Sequence, residues 1–522
     1  MEDLLAILPP EEVISIKLRN LYAREGFQFY KLSSFEEYDY FLENRSFLSA
    51  DEVITFTGND GRLMALKPDV TLAIVKNTAA GEERKVYYNE DVYRHSRESG
   101  EYKRIHQIGL EVLGKIQRTT QADVIGLALK SLEVAGAGSL DLSHMQLAEC
   151  FLNVFEDQNQ KEAARSALQR KSPHEMDKVA KLAGLSEEWQ ERLNQLCQLS
   201  GEINEALRQL EKLAAGLPDA QKPLAELAAI NEHFSDKCKN VSLRIDLAIL
   251  NDIDYYNGLI FQGFLEGLPE AVLYGGRYDR LLEKNGNPEG AIGFAMYLND
   301  LNELDHAPEA ATESKEEWLN VALPKGRMGD KVYECFKDAG IVSDGIFDDS
   351  RKLIFEDPLQ KIRFFLVKPS DVDSYVDHGA ADIGVAGKDV LLESDAQVFE
   401  LLDLAFGKCW LAVAGKKDFA ADPAKSLKVA TKYPNITRAY YAEQSQAVEL
   451  IHLHGSIELA PLLELSDVIV DIVETGTTLK ENGLTILQKI EPSSARLICN
   501  QASWRFKNER ISALVEKVRQ TI

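Results

Sequence analysis

Val468-Ile-Val-Asp-Ile-Val-Glu-Thr-Gly-Thr-Thr-Leu479 joins two kinds of sequence. The β-branched run 468–473 reads as a buried strand. It breaks into Thr475-Gly476-Thr477-Thr478, a turn rich in amides and hydroxyls. Its glycine permits unusual backbone angles, and the turn opens a short helical stretch. N–H and O–H donors in such a turn can wrap a phosphate while an acidic residue stays near a sugar. A strand carrying an acid, then T-G-T-T, suits a phosphorylated ribose.

Around this stretch, the sequence from 318 to 522 alternates strand-like and helix-like segments, as a parallel α/β domain does. Leu323-Pro-Lys-Gly-Arg-Met328 follows a predicted strand at 318–323 and precedes a helical pattern over 330–339. Its cations Lys325 and Arg327, at a strand end beside a helix start, suit a pyrophosphate. A surface turn has the same composition. Ser350-Arg-Lys-Leu353 adds Arg351. Ala381-Asp-Ile-Gly-Val-Ala-Gly-Lys-Asp389 is a strand running into a glycine turn, which is equally readable as a purely structural turn.

These segments, in this order, together with His454-Gly-Ser-Ile-Glu-Leu-Ala-Pro461 and the continuation Lys480-Glu-Asn-Gly483, resemble the short form of ATP phosphoribosyltransferase, the first enzyme of histidine biosynthesis. The resemblance implies a bilobal, periplasmic-binding-protein-like α/β transferase domain over 318–522. It also implies transfer of phosphoribosyl from phosphoribosyl pyrophosphate to N1 of ATP, with release of pyrophosphate. Asp471, Glu474, Thr475, Gly476, Thr477 and Thr478 are then the phosphoribosyl pyrophosphate ligands. Arg327, Asp382, Gly387 and Lys388 are assigned to ATP. Lys325, Arg327 and Arg351, with Asp471, are the catalytic candidates, the cations stabilising the departing diphosphate. Mg²⁺ is the implied cofactor, bridging diphosphate and ribose oxygens with few protein ligands. Relatives often carry arginine where this chain has Lys368; lysine keeps the charge but loses the planar fork.

Residues 1–306 carry a second set of signals. Strands are predicted at 85–89, 105–113, 241–247 and 259–264, and a helix at 119–134. A helical insertion is predicted over about 157–235, where Ile203, Leu207, Leu210 and Ala214 step at helical spacing. In Gln107-Ile-Gly-Leu-Glu111 the alternate residues share one strand face, so Gln107 and Glu111 bracket a space over Gly109. An amide and a carboxylate there suit an ammonium group or an imidazole. With Lys67-Pro-Asp-Val-Thr71, Tyr93-Arg-His95, Asp252-Ile-Asp-Tyr-Tyr-Asn-Gly258, Gly275-Gly-Arg-Tyr-Asp279 and Ala291-Ile-Gly-Phe-Ala295, the series resembles the catalytic domain of histidyl-tRNA synthetase. That implies an α+β domain built on the class II synthetase antiparallel sheet. Three positions depart from an active synthetase: Ser96 where the second motif has an acid, Asn251 where an arginine is usual, and Asp300 where the closing motif has arginine. Losing two cations should cripple adenylate formation. The histidine-reading set Asp69, Thr71, Arg94, Gln107, Glu111, Tyr255 and Tyr256 is better kept. The whole therefore resembles the synthetase-like regulatory subunit of short-form transferases fused ahead of the enzyme. Histidine would be its feedback inhibitor, bound either at this set or at the interface between the halves, and a symmetric homo-oligomer is expected. The polar stretch 307–317 reads as the linker.

Bulk properties fit this reading. With 522 residues and 45% hydrophobic content the chain can build two or three cored domains. A net charge of −25 opposes non-specific nucleic-acid binding while leaving room for local basic pockets. The start shows no secretory pattern and no apolar run suits a membrane span. Six scattered cysteines (150, 197, 238, 335, 409 and 499), without a CxxC pair, read as reduced thiols of a cytoplasmic protein with no resident zinc. Two other readings are a working histidyl-tRNA synthetase with an appended domain, opposed by Ser96, Asn251 and Asp300, and a non-catalytic bilobal binding protein.

Overall fold

A computed structural model describes residues 7–43, 53–95, 100–234, 240–250, 256–284, 286–287, 289–306, 318–343, 352–394, 396–420 and 426–522. The chain divides into two units at 311/312; positions 307–317 of the expected linker lie outside the described residues.

In the N-terminal unit two long strands, Arg84–His95 and Tyr102–Gly114, pair antiparallel along their whole length. Gly290–Tyr297, Ala271–Arg277, Leu259–Leu265 and Gly138–His144 continue the antiparallel order. Val241–Asp246 joins Gly138–His144 in parallel, and the short strands Gln28–Phe29 and Ser200–Glu202 close the two edges of this nine-stranded sheet. Helix Arg118–Ala135 covers one face, where Ile125, Leu129 and Leu132 are fully buried among Leu110, Leu140 and Phe294. The insertion is mostly helical, and Ile203–Leu213 buries Ile203, Leu207 and Leu210 as their spacing predicts. The strand Ser200–Glu202 inside it is a correction: it pairs with Val241–Asp246 and ties the insertion to the sheet.

The C-terminal unit has two lobes. The first carries a six-stranded sheet ordered Ile354–Asp357, Ile362–Val367, Leu319–Pro324, Ile383–Gly387, Ala495–Asn500, Val398–Asp403. The second carries five strands ordered Val448–His452, Leu427–Thr431, Val468–Val473, Cys409–Lys416, Leu484–Ser493. Both sheets are mixed rather than parallel. Ala495–Asn500 runs antiparallel to both its neighbours, as does Cys409–Lys416. The reason is topological: the chain passes between lobes twice, at 403–409 and at 493–495, and each passage feeds a strand in the opposite direction. The two passages lie together, with Ser494 Oγ donating to Asp403 Oδ1 (2.8 Å) and the Ala495 N–H to the Phe406 carbonyl (3.0 Å).

Candidate functional site

Val468–Val473 is a central strand of the second lobe, with Val468, Ile469 and Val470 buried. It delivers Asp471 to a cavity of about 550 Å³ in the C-terminal unit. Gly476 follows at φ +73°, a left-handed turn that opens the helix Thr477–Glu481. Thr475, Thr477 and Thr478 line the cavity with Glu474 and Gly476, and the Thr475 and Thr477 hydroxyls lie 2.9 Å apart. Every second-lobe residue of the predicted phosphoribosyl pyrophosphate set therefore meets in one place.

The first lobe contributes Arg327. Gly326, at φ +85°, caps the helix Arg327–Asp338 without a side-chain hydrogen bond. Glycine offers no side-chain acceptor to the first N–H groups of this helix, and Arg327 stands beside them. Arg327 Nη2 donates to Glu474 Oε2 at 3.2 Å, both groups exposed. Gly329 is required here: a Cβ would lie 1.9 Å from the Pro324 carbonyl oxygen, so the helix rests directly on the end of its own strand.

Burial pushes the Asp471 carboxyl up from its ordinary value to about 6, and Glu458 and Asp389 add to this. An N–H bond from Ile472 (2.8 Å) and the Lys432 ammonium oppose the shift without cancelling it.

Other predicted residues lie elsewhere. Gly387 lines the cavity, but Asp382 and Lys388 do not. Asp382 is buried and occupied: it accepts from Lys507 Nζ (2.8 and 2.9 Å), Ser503 Oγ (2.7 Å) and the Asn320 N–H (2.7 Å). Lys388 is paired with buried Glu400. Both are corrected to structural roles in the first lobe. Lys325 is exposed outside the cavity wall, its N–H bonded to the Val367 carbonyl (2.8 Å). Lys368 is exposed beside Pro369 and Ser370, which line the cavity. Arg351 lies outside the described residues. The sequence reading passed over Asp389, Lys432, Tyr433, Glu458, Ser493 and Ser494, all lining residues. The signal was present in Thr431-Lys-Tyr-Pro434, a strand end carrying a lysine and followed by a proline-led helix.

In the N-terminal unit Asp69 caps the helix Val70–Lys76, accepting from the Leu72 N–H (2.9 Å), and Arg94 lies 3.6 Å from its other oxygen. Thr71 Oγ1 (2.8 Å) and the Tyr278 hydroxyl both donate to Glu111, which is 2% exposed. Burial pushes the Glu111 carboxyl up to about 8, so it holds its proton at neutral pH; the nearby Asp69 adds to this. Gln107 is buried on the same strand. The space over Gly109 is not open, which corrects the expectation: a Cβ there would meet the Phe294 carbonyl at 2.3 Å and the Tyr88 hydroxyl at 2.5 Å. Gly109 makes room for Tyr88, opposite it in the sheet. Tyr256 packs against Gly276; Tyr255, Ser96 and Asn251 lie outside the described residues. Asp300 is exposed.

Residues 368–520 match the ATP phosphoribosyltransferase family and residues 8–301 the histidyl-tRNA synthetase family. An ATP phosphoribosyltransferase of Brachyspira hyodysenteriae is 49% identical over 205 residues, 39% of this chain and 100% of that protein. One from Clostridioides difficile is 54% identical over 200 residues, 38% of this chain and 96% of that protein. A Bacillus halodurans crystal structure, described as an ATP phosphoribosyltransferase regulatory subunit/histidyl-tRNA synthetase, shares the fold. Its TM-score is 0.51 at 20% identity, covering 63% of this chain and 85% of that one. Matched over nearly the full length of such relatives in its second half and to the synthetase family in its first, this chain belongs to the ATP phosphoribosyltransferase family, carried behind a unit of the histidyl-tRNA synthetase family.

Proposed function

We propose that the C-terminal unit joins N1 of ATP to C1 of phosphoribosyl pyrophosphate at the cavity floored by Asp471 and Thr475–Thr478, opening histidine biosynthesis, and that the N-terminal unit activates this reaction and senses histidine. The observation that carries the first part is the convergence of Asp471, one left-handed glycine turn and three threonines on a single cavity. The turn's N–H and O–H groups hold the 5-phosphate. Asp471, ionised, accepts from the ribose hydroxyls. Arg327 exchanges Glu474 for the diphosphate and takes up its growing negative charge as the C1–O bond breaks and the N1–C1 bond forms. No covalent nucleophile is needed; positioning and electrostatics suffice.

A magnesium ion would find oxygen donors in this cavity. Asp471 and Glu458 line the cavity as oxygen donors. Among the described residues no group of three His, Cys, Asp or Glu side chains is arranged to cage a metal. When bound, the ion neutralises diphosphate charge.

The purified chain, given ATP and phosphoribosyl pyrophosphate, is expected to form phosphoribosyl-ATP, followed by ultraviolet absorbance; no product would end this reading. Thr477→Ala, which removes one hydroxyl from the turn, is expected to raise KM for phosphoribosyl pyrophosphate about tenfold with the fold intact. An unchanged KM would place the phosphate elsewhere.

Histidine recognition is assigned to Gln107, Glu111, Thr71, Tyr278 and their neighbours. Glu111, which holds its proton at neutral pH, can ionise against an arriving ammonium or imidazolium, which stabilises the complex. Gln107→Ala is expected to blunt histidine inhibition about tenfold, read as the half-inhibitory concentration, while turnover without histidine stays unchanged. Inhibition as strong as in the parent would move the sensor away from these residues. A symmetric homo-oligomer completes the proposal, and light scattering of the full chain measures it.

A further inference from the structure

The two lobes of the C-terminal unit touch through the helix Lys388–Ser394 of the first and residues 433–436 of the second. Asp389 and Glu393 stand four residues apart on that helix and so share a face. Asp389 is 7% exposed; its Oδ2 accepts from the Tyr433 hydroxyl (2.8 Å) and its Oδ1 from Ser493 Oγ (2.7 Å). Glu393 accepts from the N–H groups of Asn435 (2.9 Å) and Ile436 (3.1 Å), and Asn435 Nδ2 donates to the Glu393 carbonyl (3.0 Å).

The second-lobe helix Pro434–Glu443 needs this help. Its N-cap, Tyr433, offers no side-chain acceptor, so the N–H groups of its first turn would otherwise be orphaned. A carboxylate from the other lobe provides the cap. The contact is also wired to the proposed chemistry. The Tyr433 N–H donates to Thr431 Oγ1 (2.9 Å), and that hydroxyl donates to the Val470 carbonyl (2.8 Å), next to Asp471.

We propose that Asp389, Glu393 and Tyr433 form a clasp that holds the two lobes at the working width of the cleft, making them positioning residues for both substrates. This rests on the phosphoribosyl-transfer reading above. The cavity wall takes Arg327 from one lobe and Asp471 with its turn from the other, so the parts of the site are in register at one lobe angle only.

Tyr433→Phe and Glu393→Ala in the full chain test the clasp. Glu393 does not line the cavity and is the cleaner of the two. Without the clasp the closed fraction falls, and apparent affinity falls with it for every ligand that needs closure. KM for ATP and for phosphoribosyl pyrophosphate is expected to rise by a common factor of about ten in both variants, and in Glu393→Ala kcat at saturation stays within about twofold. Glu393→Gln, which keeps one acceptor oxygen, gives a smaller rise. Unchanged KM values overturn the proposal, whatever happens to thermal stability, and so does a rise for one substrate alone. Were the parent chain to make no phosphoribosyl-ATP, the transfer reading would fail by itself. Calorimetric titration with phosphoribosyl pyrophosphate would still decide the clasp, by weaker binding in both variants or by unaltered binding.

Discussion

Asp471→Asn is expected to lower kcat/KM for phosphoribosyl pyrophosphate about a hundredfold. A hydrogen bond to a charged group contributes about 1.5–3 kcal/mol, and tenfold corresponds to about 1.4 kcal/mol, so loss of the carboxylate's charge toward the ribose hydroxyls reaches that factor. The same group fixes a pH signature. Its carboxyl is held up at about 6 by burial. Below that pH it carries a proton and loses its acceptor character, so kcat/KM falls as pH drops below about 6 and levels off above it. The asparagine variant lacks this acid limb. Stability moves the other way. Between the ordinary 3.8 and about 6 the folded state binds the proton more tightly than the unfolded chain. The site's contribution to stability therefore declines as pH rises through this window. At pH 7 the variant is then at least as heat-stable as the parent. A pH–rate profile and a melting curve check both halves; a variant that keeps its acid limb would remove Asp471 from the site.

Gly329→Ala is expected to disturb both fold and site. The added methyl meets a backbone oxygen at 1.9 Å, which no rotamer change relieves. Overpacking of this kind costs about 1–3 kcal/mol. For a unit of this size that is a fall of about 2–12 °C in its melting transition. The helix that moves also carries Arg327 at its first position. kcat should fall with it, and more than Tm alone predicts, when measured well below the transition. Calorimetry and steady-state kinetics on one preparation separate the two. A normal kcat in a destabilised variant would show that Arg327 does not depend on the helix seat.

Where local sequence determines local structure, the chain was legible. The run 468–473 is a strand with those bounds, and the turn after it has the left-handed glycine its composition demands. The helix at 119–134 is observed as Arg118–Ala135. Strand direction was not legible, because a β-branched run reads alike in either sense; hence the mixed sheets. Ser200–Glu202 escaped because three residues hold no period. Gly109 misled because a glycine in a strand marks close approach as readily as empty space. Asp382 and Lys388 resembled ligands because their partners Lys507 and Glu400 are not sequence neighbours. Tyr433 was invisible for the same reason: its partner Asp389 is 44 positions away.

The twin passages at 403–409 and 493–495, fastened to each other by Asp403 and Ser494, behave like two pins of one door hinge. Joined at two neighbouring points rather than one, the lobes are hindered from twisting about a single strand. If the clasp sets the lobe angle, an event that shifts this angle, even away from the substrates, would change how tightly they are held. A regulator of such a machine needs leverage rather than access to the chemistry.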